Sequence, residues 1–219
     1  MRLHRIAVVA GTLAAAALGR DISQERLTVR VYNQAGVSGA TLSNASLTAM
    51  EIFKQAGIET EWLICGTPGS REGCNSPTGN GKVSEGSLMI IVRQRPFQGL
   101  RVRESLAFGA AVLVASSQTG DQAYVFYDLV KKAAGVTWPG AVAHLLGHAM
   151  AHEAAHLLGV GHASGGLMRA GWTARDLKQA STFLLLFRES EARQLRGTVY
   201  GTAGAGRGAA GRAIQPSSR

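Results

Sequence analysis

The segment that most constrains this chain runs from residue 152 to residue 168 and reads HEAAHLLGVGHASGGLM. In a helix, His152 and His156 lie one turn apart on the same face, so their imidazoles can converge on one ion. Gly159 can adopt the left-handed conformation that ends a helix, and the chain can then return His162 to the same point. Three histidines with a fourth position open are typical of catalytic zinc, because structural zinc sites have four protein ligands. We therefore predict that these three histidines bind one catalytic Zn²⁺ ion.

Glu153 directly follows the first predicted ligand, so it lies beside the metal without being an evident ligand itself. A carboxylate in this position can take a proton from a zinc-bound water, because zinc lowers the pKa of that water from about 15.7 to about 7. Glu153 would then pass the proton to the leaving amine as a peptide bond breaks. We therefore predict that Glu153 is a catalytic general base.

The spacing HExxHxxGxxH, followed by a methionine, resembles the signature of the metzincin clan of zinc metallopeptidases. The resemblance implies that Met168 forms a turn beneath the metal and packs its thioether under the histidine rings without binding zinc. Met168 follows His162 by six positions, and this short connection is similar to that of matrixin-type and small bacterial members. In several metzincin groups a tyrosine follows the methionine closely. This chain has Arg169 to Trp172 there instead, so the tyrosine has no counterpart.

These residues together predict a zinc-dependent endopeptidase that hydrolyses bonds in a peptide or protein substrate. Two other classes of protein use the same site chemistry. One is a zinc amidase that acts on cell-wall peptides, and the other is a binding module that keeps zinc without turnover. The intact Glu153 favours hydrolysis over the binding module, since a structural zinc site needs no base.

Residues 1–19 have the pattern of a secretory signal peptide, with a basic start, an apolar run from Ile6 to Leu18 and a small final residue. The thirteen residues of that run are too few to span a bilayer core of about 30 Å. An uncleaved N-terminal anchor is the alternative. We expect cleavage before Arg20, a secreted or periplasmic location, and no stable membrane insertion.

The chain has a formal net charge of +9 at pH 7. Its basic residues are scattered and form no motif interleaved with aromatic residues, so a solvated surface explains the charge better than nucleic-acid binding does. With 46% hydrophobic and 17% charged residues, the composition is that of a globular protein. We expect a monomer with no nucleic-acid partner.

The chain has two cysteines. Cys65 begins a segment rich in glycine, proline and serine, and Cys74 lies within it. In a secreted chain a disulfide is the first expectation, because thiols persist mainly in reducing compartments. A second metal site is the alternative, but this segment offers no obvious further ligands. We predict a disulfide that staples the loop.

Apolar runs predict five strands, and a helix between the first two makes those two parallel. The run from Ser87 to Arg93 is apolar through most of its length, as in a central strand covered on both faces. The last two strands are predicted to form an antiparallel hairpin. The metzincin resemblance implies that the edge segment from Phe108 to Val114 lines the cleft and pairs with the substrate backbone. The predicted strands are residues 27–33, 58–65, 87–93, 106–116 and 122–127.

Residues typical of helix starts and helix ends predict helices between and after these strands, so the expected fold class is α+β. The resemblance implies a metzincin-like zincin fold, with a five-stranded mixed sheet and two long helices in an upper subdomain and one helix in a small C-terminal subdomain. We assign residues 20–196 to this catalytic domain and expect the glycine-rich residues 197–219 to be disordered. The predicted helices are one capped by Ser43 and stopped by Gly57, a short one over residues 128–134, the zinc helix over residues 139–158, and one from Thr173 to Arg196 with Asp176 completing its capping box.

His144 and His148 continue the spacing of His152 and His156 along the zinc helix. A helix rises about 1.5 Å per residue, which sets His148 about 6 Å back from His152 along the axis. We expect His148 to be buried and hydrogen-bonded, His144 to be structural or exposed, and neither to bind zinc. Trp172 is expected to belong to the core.

Overall fold

The computed structural model describes residues 26–66, 74, 87–97, 108–116, 119–135 and 141–205, and these form an α+β structure around one sheet. The predicted signal segment lies outside the described residues. The elements in chain order are β1 (Leu27–Asn33), α1 (Gly39–Gln55), β2 (Thr60–Cys65), β3 (Ser87–Arg93), β4 (Gly109–Val112), β5 (Gln122–Phe126), α2 (Tyr127–Ala134), α3 (Ala141–Leu157), α4 (Ala174–Ser181) and α5 (Glu189–Ala205).

The five strands form one mixed sheet in the order β2-β1-β3-β5-β4. The pairs β1–β2, β1–β3 and β3–β5 are parallel, whereas β4 pairs with β5 in the antiparallel direction. The predicted mixed sheet is therefore confirmed, including the parallel first two strands and the final antiparallel pair. β4 is an edge strand, so one side of its backbone has no strand partner among the described residues.

Burial along the strands follows the sequence pattern. In β1, Leu27, Val29 and Val31 are buried and alternate with half-buried residues, as expected for a strand with one face on the core. β3 is buried from Ser87 to Val92, and it occupies the middle of the sheet. The continuous apolar run therefore marks the central strand, as predicted.

Helices α1 and α3 pack closely against each other, and Gly147 makes this possible. A Cβ at Gly147 would lie 2.5 Å from the carbonyl oxygen of Ala45 and 2.5 Å from the Cβ of Thr48, so only glycine fits here without movement. The other contacts of α3 include β3, β4 and β5. This packing places the histidine-bearing helix beside the edge of the sheet.

Several element boundaries differ from the prediction, and those of α1 and β4 differ most. The N-cap of α1 is Ser38 and not Ser43, because the Oγ of Ser38 accepts the backbone N–H of Thr41 at 3.2 Å and satisfies the first turn earlier. The predicted strand over residues 106–116 is shorter. In the structure β4 covers Gly109–Val112, and residues 113–116 are not strand.

The C-terminal region contains two helices where the sequence pattern predicted one. α4 begins with the predicted capping box of Thr173 and Asp176. It ends at Ser181, and Phe183 then has a φ of 58°, which breaks the right-handed helix. The chain next runs beside the turn that carries Leu167, whose N–H donates to the carbonyl oxygen of Leu186 at 3.0 Å. The prediction of one helix was therefore wrong.

α5 begins at Glu189 and continues to Ala205. The predicted start of a disordered tail at residue 197 therefore falls inside a helix, and that boundary was wrong. Residues 206–219 lie outside the described residues.

The predicted disulfide is present in the structure and joins Cys65, the last residue of β2, to Cys74. It closes a short ring across the predicted loop, most of which lies outside the described residues. Among the helices of the described part of the chain, none is long and apolar enough to cross a membrane.

Candidate metal centre

α3 carries two of the three predicted ligands and ends just after them. Gly159 has a φ of 86°, and its N–H donates to the carbonyl oxygen of His156 at 2.9 Å. The N–H of Val160 donates to the carbonyl oxygen of Ala155 at 3.0 Å. This pair of bonds is a Schellman motif, in which a left-handed glycine reverses the chain. The reversal brings His162 back toward the end of the helix, as the sequence predicted.

The three histidines converge through their Nε2 atoms. The Nε2 of His156 lies 3.0 Å from that of His152 and 3.1 Å from that of His162. Two nitrogens that each lie about 2.0–2.1 Å from a tetrahedral zinc ion are about 3.3 Å apart. The spacing is therefore close to that of a zinc site. Among the described residues, these three form the one group of at least three potential metal-binding side chains.

Backbone carbonyls fix the orientation of two of the rings. The Nδ1 of His152 lies 2.8 Å from the carbonyl oxygen of Leu167, and the Nδ1 of His156 lies 2.7 Å from that of Val160. A carbonyl only accepts, so each Nδ1 carries the proton and each Nε2 of a neutral ring presents a lone pair. Lone pairs that face one another at about 3 Å need a cation between them. The site therefore fits a metal ion.

The electrostatic environment keeps these rings neutral. Burial is the largest cause, and it lowers the pKa of His152 to about 3 and that of His156 to about 4, with the other histidines of the cluster adding to the effect. Burial also lowers the pKa of the more exposed His162. Neutral imidazole is the form that binds metal, so all three are ready to do so at neutral pH.

Glu153 and the three histidines line one cavity, and Glu153 is 5% exposed. Burial raises the pKa of its carboxyl to about 8, and a metal cation nearby would favour the carboxylate and oppose that shift. Gly109 of β4 makes room for it. A Cβ there would lie 2.6 Å from the Cδ of Glu153 and 2.4 Å from the carbonyl oxygen of Tyr124.

The chain turns at Leu167 and Met168, and Met168 is fully buried there. The carbonyl oxygen of Met168 accepts the N–H of Ala163 at 2.8 Å. The preceding carbonyl, that of Leu167, accepts both the Nδ1–H of His152 and the indole N–H of Trp172 at 3.1 Å. The turn thus holds the first histidine ring through its backbone.

Sequence reasoning missed the orienting roles of Leu167 and Trp172. Every residue has a carbonyl, so no side-chain pattern marks the one at Leu167. Trp172 was expected only in the core, and it is 4% exposed there. Its ring also packs edge-on to that of His152, with centroids 6.1 Å apart. An indole that follows the turn closely was the available signal for a hydrogen-bonding role.

The two remaining histidines of α3 lie outside the cluster. His148 is fully buried, and its Nδ1 lies 2.7 Å from the carbonyl oxygen of His144. Burial lowers the pKa of His148 to about 4. His144 is half-buried, with its Nδ1 3.4 Å from the hydroxyl of Thr48 and its ring edge-on to Phe183. Their surroundings match the structural roles expected of them.

The histidine cluster opens into a cavity of about 340 Å³. Phe108 and β4 residues form part of its lining, and the end of α3 and the turn region form the rest. The cavity-lining part of β4 consists of Gly109, Ala110 and Ala111, so small side chains border the cluster. The edge segment expected to line a cleft therefore lies beside the predicted ligands.

No protein-family model matches this sequence, and no curated protein matches it. Solved structures do share its fold. A zinc-dependent peptidase from Methanocorpusculum labreanum has a TM-score of 0.50 and 13% identity, over 76% of this chain and 99% of that one. An archaemetzincin from Methanopyrus kandleri has a TM-score of 0.50 and 15% identity, over 81% of this chain and 98% of that one. This chain is therefore similar in fold to zinc-dependent peptidases.

Proposed function

We propose that this protein is a secreted zinc-dependent endopeptidase of the metzincin clan, with a short matrixin-like connection between its third histidine and its methionine turn. The observation that carries the proposal is the convergence of three Nε2 atoms, with that of His156 3.0 Å and 3.1 Å from the other two, beside a buried glutamate in an open cavity. Fold alone does not define a reaction. The proposal therefore rests on the chemistry of these side chains.

In this proposal His152, His156 and His162 hold one zinc ion through Nε2. Zinc supplies Lewis acidity when bound, which polarises the scissile carbonyl and acidifies water. Glu153 is the only carboxylate among the described residues that line the cavity. As general base it takes the proton from the attacking water and delivers it to the leaving nitrogen. Met168 supports the site from the turn, through the backbone bonds described above.

The substrate would bind along the edge of the sheet. β4 has a free side to its backbone among the described residues, and a peptide can add there as a further strand. The short side chains of Gly109, Ala110 and Ala111 allow its backbone to come close to the cluster. A peptide or protein is therefore the substrate class that the cavity favours.

We also propose that residues 1–19 direct secretion and that the folded protein acts as a monomer without a nucleic-acid partner. The disulfide between Cys65 and Cys74 supports an oxidising compartment, since disulfides persist there. The catalytic domain would begin after the signal segment and, because α5 is helical to Ala205, extend past residue 196.

The test is cleavage of a diverse peptide library by the purified protein. Glu153→Ala should lower kcat/KM by about 10²–10⁴-fold, the usual contribution of a general base, and still bind zinc. Glu51→Ala removes a carboxylate from α1, away from the cavity, and should cleave like the wild type. Equal cleavage by Glu153→Ala would contradict the mechanism. Bound zinc with no peptide cleavage would instead favour the cell-wall amidase or the binding module.

A further inference from the structure

Arg169 is the one arginine or lysine among the described residues that line the cavity. It directly follows Met168, and its side chain is 37% exposed. Apart from the histidines and Glu153, the remaining lining residues are apolar or glycine. Water therefore screens this permanent positive charge only in part, and the apolar side of its surroundings strengthens its attraction for an anionic group relative to a fully exposed arginine.

Asp176 orients this arginine. The Nε of Arg169 lies 3.4 Å from the Oδ2 of Asp176, which is within ion-pair range. The same oxygen accepts the N–H of Thr173 at 2.8 Å and its hydroxyl at 2.7 Å, so the capping box of α4 fixes the carboxylate. The two Nη groups of Arg169 make no hydrogen bond to any described residue. The outer edge of the guanidinium is therefore available to a ligand.

A second guanidinium lies close to the first. The point that a Cβ of Gly165 would occupy is 3.4 Å from the Nη2 of Arg169 and 2.6 Å from the Nη2 of Arg188. Gly165 has no side chain, and this lets both arginines approach the same turn. The two Nη2 atoms therefore lie within about 6 Å of each other, and like charges this close repel unless an anion lies nearby.

The described residues supply little compensation for Arg188. Its Nη1 donates to the hydroxyl of Ser164 at 3.2 Å, and none of the described carboxylates forms an ion pair with it. Glu191 accepts the backbone N–H of Arg188 at 2.8 Å and not its side chain. Asp176 therefore balances one arginine and leaves the second charge unpaired within the described part of the chain.

We propose that Arg169, with Arg188 beside it, forms a carboxylate-binding subsite at the margin of the catalytic cavity, so that the enzyme selects substrates with an acidic group at one position. The proposal rests on the proposed peptidase function. An arginine fork pairs with a carboxylate through two parallel hydrogen bonds, which gives both affinity and direction. The carboxylate comes either from an aspartate or glutamate side chain or from the free C-terminus of a peptide.

The test compares matched peptides that carry Glu or Gln at each position around the cleaved bond, each with a free or an amidated C-terminus. The wild type should prefer Glu at a single position, or the free C-terminus, by about ten- to hundredfold in kcat/KM, the usual value of a charged hydrogen bond. Arg169→Gln should abolish this preference. Arg188→Gln should reduce this preference, and this second variant still tests the proposal if Arg169→Gln does not fold.

Arg175→Gln is the matched control, because it removes a positive charge from an exposed position of α4 and should keep the preference. Binding of the same peptides to Glu153→Ala, measured by fluorescence anisotropy, tests the subsite without turnover. Preferential binding of acidic peptides that depends on Arg169, with no cleavage by the wild type, supports the subsite and refutes the peptidase. Cleavage or binding with equal use of Glu, Gln, free and amidated peptides overturns the subsite.

Discussion

Single backbone atoms decide how the histidine rings face one another. The Leu167 carbonyl holds His152 and the Val160 carbonyl holds His156, each through Nδ1. Both acceptors come from segments that follow α3 in sequence. Metal-binding imidazoles generally depend on such partners for their tautomer and orientation. The turn after the helix therefore serves the site as directly as the helix does.

Gly109 offers a test of this residue-level geometry. Gly109→Ala would place a Cβ 2.6 Å from the Cδ of Glu153 and 2.4 Å from the backbone oxygen of Tyr124. Such overpacking costs about 1–3 kcal/mol and should displace the carboxyl. We expect a lower Tm and at least about a tenfold loss of kcat/KM on a cleaved peptide.

The matched control is Gly161→Ala, at another glycine of the cavity lining. A Cβ at Gly161 would meet nothing within 4 Å, and the backbone there needs no left-handed conformation. This variant should resemble the wild type in Tm and in activity. Full activity in Gly109→Ala would show that catalysis does not depend on the position of the Glu153 carboxyl, which would count against its role as base.

At the scale of residues, the metal-binding side chains were more predictable from sequence than the groups that hydrogen-bond to them. Helical periodicity places His152 and His156 together from sequence alone, and a glycine explains the return of His162. The carbonyl of Leu167 could not be predicted, because a backbone acceptor has no residue type. The pairing of Arg169 with Asp176 depends on how the turn meets α4, which local pattern does not specify.

Among the elements, α5 links the ends of two other helices. The Nε2 of Gln194 donates to the carbonyl oxygen of Gly159 at 2.8 Å. The hydroxyl of Thr198 donates to the carbonyl oxygen of Leu158 at 3.3 Å. The Nη1 of Arg196 donates to the carbonyl oxygen of Ala56, just after α1, at 2.8 Å. Carbonyls at helix ends lack partners within the helix. α5 supplies those donors at the turn that leads to His162.

Gln194→Leu should therefore loosen this turn. A lost hydrogen bond of this kind costs about 0.5–1.5 kcal/mol, so we expect zinc affinity to fall by about two- to tenfold. Competition with a chelator of known affinity measures the change. Arg193→Ala alters the neighbouring exposed position of α5 and should leave zinc affinity unchanged. An identical decrease in both variants would mean that α5 acts through its general stability and not through Gly159.

Element types were largely predictable from sequence, and their ends were not. The strands at residues 27–33 and 87–93 match the structure because burial sets their apolar patterns. The C-terminal helix was predicted as one because its apolar spacing continues past Ser181. Phe183 interrupts it in the structure, and Leu184 is 68% exposed while Leu185 is buried. Tertiary packing against the turn overrides the local helical pattern there.

In the whole molecule, the sheet and α1 hold α3 so that its C-terminal half borders the edge strand. The close approach of α1 and α3 at Gly147 fixes the helix laterally. The turn around Met168 and helix α5 follow α3 in sequence, and both pack near its C-terminal end. The cavity is thus assembled from segments distant in sequence, and a local motif alone could indicate its ligands but not its walls.

The measurement that tests the central claim most directly is the zinc content of the purified protein after dialysis, by inductively coupled plasma mass spectrometry. The wild type should retain about one zinc ion per chain, and His156→Ala should retain almost none. His144→Ala removes a histidine of the same helix outside the cluster and should retain zinc like the wild type. A wild type without zinc, or His156→Ala with wild-type zinc content, would contradict the assignment of this metal centre.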